Sequence, residues 1–147
     1  ARLQSYGSRV SFSKQDMRYF NSNETAGVPN QYDAVVAVLS IHHLTSSEKQ
    51  DLFSRVYPML SGGGIFVIGD IVKFRSEKVT KKKEQAWKKF LIRNFGKPQG
   101  DFWFRNYKEE DLPDSVEAQI RWLRESRFRH AKKIWGYMNY AVFYGRK

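Results

Sequence analysis

Ala34 to Leu39 is an unbroken apolar run rich in valine, and polar Ser40 and the pair His42–His43 follow it. Such a run predicts a strand buried on both faces, as in a parallel sheet. Thr45-Ser46-Ser47-Glu48 then reads as a capping box, with Thr45 as the cap and Glu48 reaching back. Leu52, Phe53, Val56, Met59 and Leu60 fall at helical spacing behind it. Pro58 sits inside this pattern and should loosen the last turn. Gly62-Gly63-Gly64 should end the helix in a left-handed cap, and Ile65 to Ile68 predicts a second buried strand ending near Asp70. The unit is strand–helix–strand, the signature of a parallel sheet in an α/β fold. Ligands of such sheets bind beyond the carboxyl ends of the strands, which here carry Ser40, His42, His43 and Asp70.

The remaining pattern is less regular. Ala1 to Gly7 looks like the last turns of a helix, so preceding sequence is expected. Val10 and Phe12 alternate with polar residues and predict a short strand. Residues 21 to 31 read as a polar loop. Between 73 and 115 the strand–helix alternation stops. Residues 77 to 95 predict a basic amphipathic helix that packs Trp87, Phe90 and Leu91 inward and leaves its lysines in solvent. Asp101 to Tyr107 reads as an aromatic loop that could line a pocket, stack bases or pin the insertion down. Asp114-Ser115-Val116-Glu117 is a second capping-box pattern and opens a helix. Two strands separated by a tight connection at Asn139 predict an antiparallel hairpin.

Composition changes this picture in two places. The 147 residues suffice for one domain, and their net charge of +11 admits nucleic acid, anionic surfaces or acidic substrates as partners. With no cysteine there is neither a disulfide framework nor thiol chemistry, which fits a cytoplasmic protein. No stretch is long and apolar enough to span a membrane as a helix. The adjacent His42 and His43 could supply a base, a substrate contact or metal ligands. Metal is not expected, because neighbouring side chains diverge and no cysteine or third histidine lies at ligand spacing.

A strand ending in Ser40-Ile41-His42-His43-Leu44, a capped helix and a glycine turn into a strand ending in Asp70 resemble class I S-adenosylmethionine-dependent methyltransferases. They are similar to the fourth- and fifth-strand region of those enzymes. Glu117 to Phe128 resembles the helix before the family's last two strands, with Arg127 where glycine is usual. The resemblance covers the chain but only the last two thirds of the family domain. It implies a Rossmann-like sheet, mostly parallel, closed by an antiparallel C-terminal hairpin and lacking its N-terminal strands. It implies S-adenosylmethionine as cofactor and methyl transfer to a small-molecule acceptor. Asp16 and Met17 stand where the family contacts adenine, Val38 and Ser40 where it contacts the methionine part. His43 is the weak catalytic candidate and, with Trp87 and Trp103, a candidate substrate contact. The basic insertion at about 73–115 stands where the family commonly places a lid; binding phosphate groups of RNA or lipid, or plain packing of one face, are the alternatives.

No G-x-G pattern follows a strand in this sequence, although the family approaches its cofactor with such a loop. Without the family's first two strands, the 34–39 strand has an open apolar edge that invites pairing with another copy. The 147 residues alone are therefore expected not to form a stable, active monomer. A homo-oligomer through that edge, or a non-catalytic nucleic-acid-binding module, is the alternative to an enzyme.

Overall fold

In the computed structural model, which describes residues 7, 9, 10, 12–19 and 32–147, strand β1 (Tyr32–Val38) lies parallel to β2 (Leu60–Ile71). Helix α1 (Ser46–Met59) connects them, so the strand–helix–strand unit is present. Its N-terminus carries the expected capping box: Thr45 Oγ1 accepts from Glu48 N at 3.3 Å, and Thr45 N donates to Glu48 Oε2 at 2.8 Å. Pro58 lies one residue from the helix end, so the donor it lacks is missing from the last turn alone.

Beyond β2 the chain forms α2 (Glu77–Phe95), α3 (Lys97–Glu110) and α4 (Val116–Glu125). It finishes with β3 (His130–Tyr137) and β4 (Tyr140–Arg146). The sheet order is β1-β2-β4-β3, with β2–β4 and β3–β4 antiparallel. The C-terminal hairpin thus closes a mixed α/β sheet. Arg127, at the end of α4, takes the left-handed conformation at φ 74, the strained position its place opposite the family's glycine implies.

One core lies under α1 and α4. Phe53, Phe66, Leu123 and Phe143 are sealed from solvent there, and Phe53 meets Phe66 edge-on at 5.6 Å. Each such ring stabilises the fold by about 1.5–3 kcal/mol through burial. A second cluster joins Trp87, Leu91 and Tyr107 of the α2–α3 hairpin to Ile71, with Met138 and Tyr140 packed against it. The hairpin therefore sits at the carboxyl end of β2. Its helices cross closely because Gly100 has no side chain; a Cβ there would come within 2.7 Å of the Ile92 backbone.

Several expectations are corrected. β1 is not buried on both faces: Val36 and Val38, which share one face, are each 62% exposed, and among the described residues β1 is an edge strand paired with β2 alone. Val10 and Phe12 form no strand, and Phe12 is exposed. The glycines do not cap α1, which ends at Met59; they lie in β2 where the register with β1 shifts, and Gly63 alone of the three has positive φ, at 79. Asp101 to Tyr107 is helical, not a loop. Pro98 stands in the first turn of α3, where its missing N–H is harmless. The α4 cap is Ser115, accepting from Ala118 N, rather than Asp114. Residues 77 to 95 are helical with Trp87 and Leu91 buried, but Phe90 is 43% exposed. The expected helical end over Ala1 to Tyr6 and the loop over 21–31 lie outside the described residues.

Candidate functional site

β1 ends at Val38, and Leu39 turns the chain with a positive φ of 47. A single 3-10 turn, Ile41–His43, follows and presents its backbone N–H groups to the end of β2. Asp70, fully buried, receives them: Oδ2 accepts from Ile41 N at 2.8 Å and from His42 N at 3.1 Å. Its Oδ1 accepts from Ile71 N at 2.8 Å and also meets His42 Nδ1 in a short hydrogen bond. One carboxylate thus ties the ends of two parallel strands together and fixes the plane of the His42 ring. His42 is itself buried, whereas the His43 side chain is 54% exposed.

The third member of this group comes from far along the chain. Asp111, just after α3, places Oδ1 3.5 Å from His43 Nδ1 and 3.8 Å from His42 Nε2. Burial pushes the Asp111 carboxyl above its ordinary pKa, and the two histidines oppose that rise. The adjacent histidines do not diverge as expected. Their ring centroids are 4.1 Å apart, because the tight turn leads both side chains toward Asp111.

What holds Asp111 there is a polar seam between α1 and residues 112–114. Leu112 N donates to His42 O at 2.7 Å. The buried Lys49 ammonium donates to Leu112 O and, at 2.8 Å, to Asp114 Oδ2. Ser46 Oγ donates to both oxygens of Asp114 at 3.1 Å. The sequence marks Asp70 by its place at a strand end, but signals neither Asp111 nor the Lys49–Asp114 pair. Their partners are more than sixty residues away, and the pairing comes from how the helical hairpin returns.

The outer side of β1 carries a different surface. A cavity of about 410 Å³ is lined by Met17, Val36, Val38, Ser40, Leu52 and Phe66, among others. Three of the four expected cofactor contacts, Met17, Val38 and Ser40, therefore share one hollow. Asp16 does not line it. Its carboxylate is exposed and held by Arg18, with Nη2 to Oδ2 at 2.6 Å, and this hydrogen bonding lowers its pKa to about 2. Trp87 is buried in the hairpin, edge-on to Tyr107 at 5.1 Å. Trp103 is 37% exposed and pairs with Phe95; together with Trp87, Phe90 and Met138 they line a separate cleft of about 420 Å³.

The apolar hollow suits the adenine ring and the methylene groups beside the sulfonium of S-adenosylmethionine, and Ser13, Gln15 and Ser40 offer neutral polar groups. Its lining offers no charged group for the ribose or the amino-acid end among the described residues. The residues present therefore fit one side of that molecule.

This order of strands and helices is similar to part of the Rossmann-like fold of solved S-adenosylmethionine-dependent methyltransferases. An O-methyltransferase family protein from Burkholderia thailandensis superposes with a TM-score of 0.65 at 12% identity, over 99% of this chain and 38% of its own. Human N-acetylserotonin methyltransferase, solved in complex with SAM, gives 0.57 at 14% identity, over 99% and 37%. In sequence the chain is similar to carboxy-S-adenosyl-L-methionine synthase of Campylobacter lari, 20% identical over 144 residues. It spans 56% of that protein's length. No protein-family model matches the chain. Among the described residues no helix is long and apolar enough to cross a membrane.

Proposed function

We propose that this chain supplies the acceptor side and one wall of the cofactor site of an S-adenosylmethionine-dependent methyltransferase acting on a small-molecule acceptor. The observation that carries the reading is the pairing of two unlike surfaces at the end of β1. Met17, Val36, Val38 and Ser40 line an apolar hollow, and His42, His43 and Asp111 form a polar cluster just beyond it. When bound, the cofactor supplies an electrophilic methyl group on a sulfonium. The protein's part in such a displacement is mainly positioning and exclusion of water. Met17 and Val38 give a polarisable, apolar wall. His43 and Asp111, at the more open side of the cluster, are placed to hold the acceptor's nucleophile. The aromatic cleft with Trp87 and Trp103 offers a surface for an apolar acceptor body.

The test is calorimetric titration of the natural full-length protein with S-adenosylmethionine and S-adenosylhomocysteine. Binding is expected, and Val38→Asp, which places a charge in the hollow, should abolish it while the circular dichroism spectrum stays unchanged. Failure of the parent protein to bind either compound, or full binding by Val38→Asp, overturns the reading.

One observation favours a second reading, a polyanion-binding surface. Lys73, Lys83 and Lys133 line a hollow of about 430 Å³ beside Tyr137 and Tyr140. RNA binding that weakens steeply as salt is raised, and that weakens with Lys83→Ala and Lys133→Ala, would support it.

A further inference from the structure

The cluster at the end of β1 has the ingredients of a metal centre. One ring nitrogen each of His42 and His43 and an Asp111 oxygen lie within 4.8 Å of one another. Tetrahedral zinc, with bonds of about 2.0–2.1 Å, requires ligand atoms about 3.3 Å apart. The separations from Asp111 Oδ1, 3.5 Å to His43 and 3.8 Å to His42, are within about half an ångström of that requirement. The two ring nitrogens must also draw in, and the half-exposed His43 is the ring free to turn.

The surroundings favour a cation as well. Histidines that bind metal almost always donate their other ring N–H to a carboxylate or carbonyl, which fixes the tautomer and orients the lone pair. His42 already does this: buried Asp70 receives Nδ1, so Nε2 is the nitrogen turned toward Asp111. Asp70 is in turn anchored by three backbone N–H groups. The side chains that face the Asp70 and Asp111 carboxylates most closely are the two imidazoles of His42 and His43. Two carboxylates with little exposure and two imidazoles make an electron-rich pocket.

We propose that His42, His43 and Asp111 bind a divalent first-row cation of the zinc type, with Asp70 orienting His42 from behind. Two imidazoles and one carboxylate suit Zn²⁺ and its neighbours rather than Mg²⁺ or Ca²⁺, which prefer oxygen alone. Three protein ligands leave a coordination position open, as in catalytic rather than structural zinc sites.

Zinc titrated into the full chain, without cofactor or acceptor, tests this directly. One zinc per chain is expected by calorimetry, removable with a chelator, and cobalt in its place should give a visible d–d absorption that zinc displaces. His43→Ala and Asp111→Asn should each weaken zinc by at least about tenfold, and Asp70→Asn by about 10–100-fold with coordination retained. His130→Ala is the control: it pairs with Arg146 at the other end of the sheet and should change nothing. Should Asp111→Asn or Asp70→Asn fail to fold, His43→Ala decides, because its half-exposed ring contributes little to packing. Absence of stoichiometric zinc, or zinc bound equally by His43→Ala, overturns the proposal. Because no methyl donor enters the assay, its failure leaves the methyl-transfer reading standing.

Discussion

The seam between α1 and residues 111–114 and the α2–α3 hairpin are held by opposite means. In the seam, Lys49 and Asp114 are both buried and oppositely charged, the hydrogen bonds around them run to backbone or hydroxyl groups, and the exposed Lys73 adds a longer pair to Asp114 at 3.7 Å. In the hairpin, Trp87, Leu91, Phe104 and Tyr107 supply the contact, and several of the charged pairs lie in solvent. Buried ionic bonds are demanding in direction, whereas apolar packing tolerates small shifts. The seam positions Asp111 against two histidines and needs direction; the hairpin encloses a cleft and needs only bulk.

Breaking the seam should have the largest effect. Lys49→Ala leaves Asp114 buried without its main partner and should cost about 3–5 kcal/mol in urea unfolding. Replacing both, with Lys49→Met and Asp114→Leu, should cost less than the single change if the loss is mainly the orphaned charge.

Next is a buried polar bond of the hairpin, Tyr107 Oη to Glu84 Oε1 at 2.7 Å. Tyr107→Phe should lose about 1.5–3 kcal/mol near neutral pH, as for a bond to a charged acceptor. Burial, chiefly, and Glu84 raise the Tyr107 pKa above its ordinary value. The folded state therefore keeps the proton longer than the unfolded one. The contribution is complete below about pH 10 and declines as pH rises toward the folded pKa. Melting temperatures of both proteins should converge in that alkaline range; a gap that widens there would contradict the assignment.

Gly100→Ala drives a Cβ against the Ile92 backbone and should cost about 1–3 kcal/mol by forcing α2 and α3 apart. Smallest is Lys88→Ala. It removes a 3.1 Å pair with Asp101 at the hairpin surface and should change stability by no more than about 1 kcal/mol. A larger loss there would mean that surface charge, not packing, holds the hairpin.

The same contrast governs what could be read from sequence. α2 was legible to its ends because Trp87 and Leu91 recur at helical spacing among lysines. The α1 cap was legible because Thr45 and Glu48 act on each other three residues apart. α3 was not, because Phe102, Trp103 and Phe104 are contiguous and erase the polar face that marks an amphipathic helix. In the site, His42, His43 and Asp70 could be picked out by their places at strand ends. Asp111 could not, since nothing in Glu109-Glu110-Asp111 says which of the three acids turns inward. The exposure of β1 was legible only as an expected open edge, and Val36 and Val38 show where it lies.

The hairpin's two roots meet. Lys73 N donates to Asp114 O at 3.2 Å, and Lys73 and Ser115 form an isolated parallel bridge. Val72 N is fastened to Asn139 O at 2.8 Å on one side, and Leu112 N to His42 O at 2.7 Å on the other. Residues 74 to 111 thus leave and re-enter the body through one stitched neck. Such a neck behaves as a socket. An excursion of another length or shape could be plugged in between 73 and 112 while the sheet beneath kept its register, so the cleft it encloses could diverge without rebuilding the fold. The exception is Asp111, which travels with the plug but completes the cluster in the socket. A graft that kept the neck and lost this one residue would arrive with its histidines in place and their carboxylate gone.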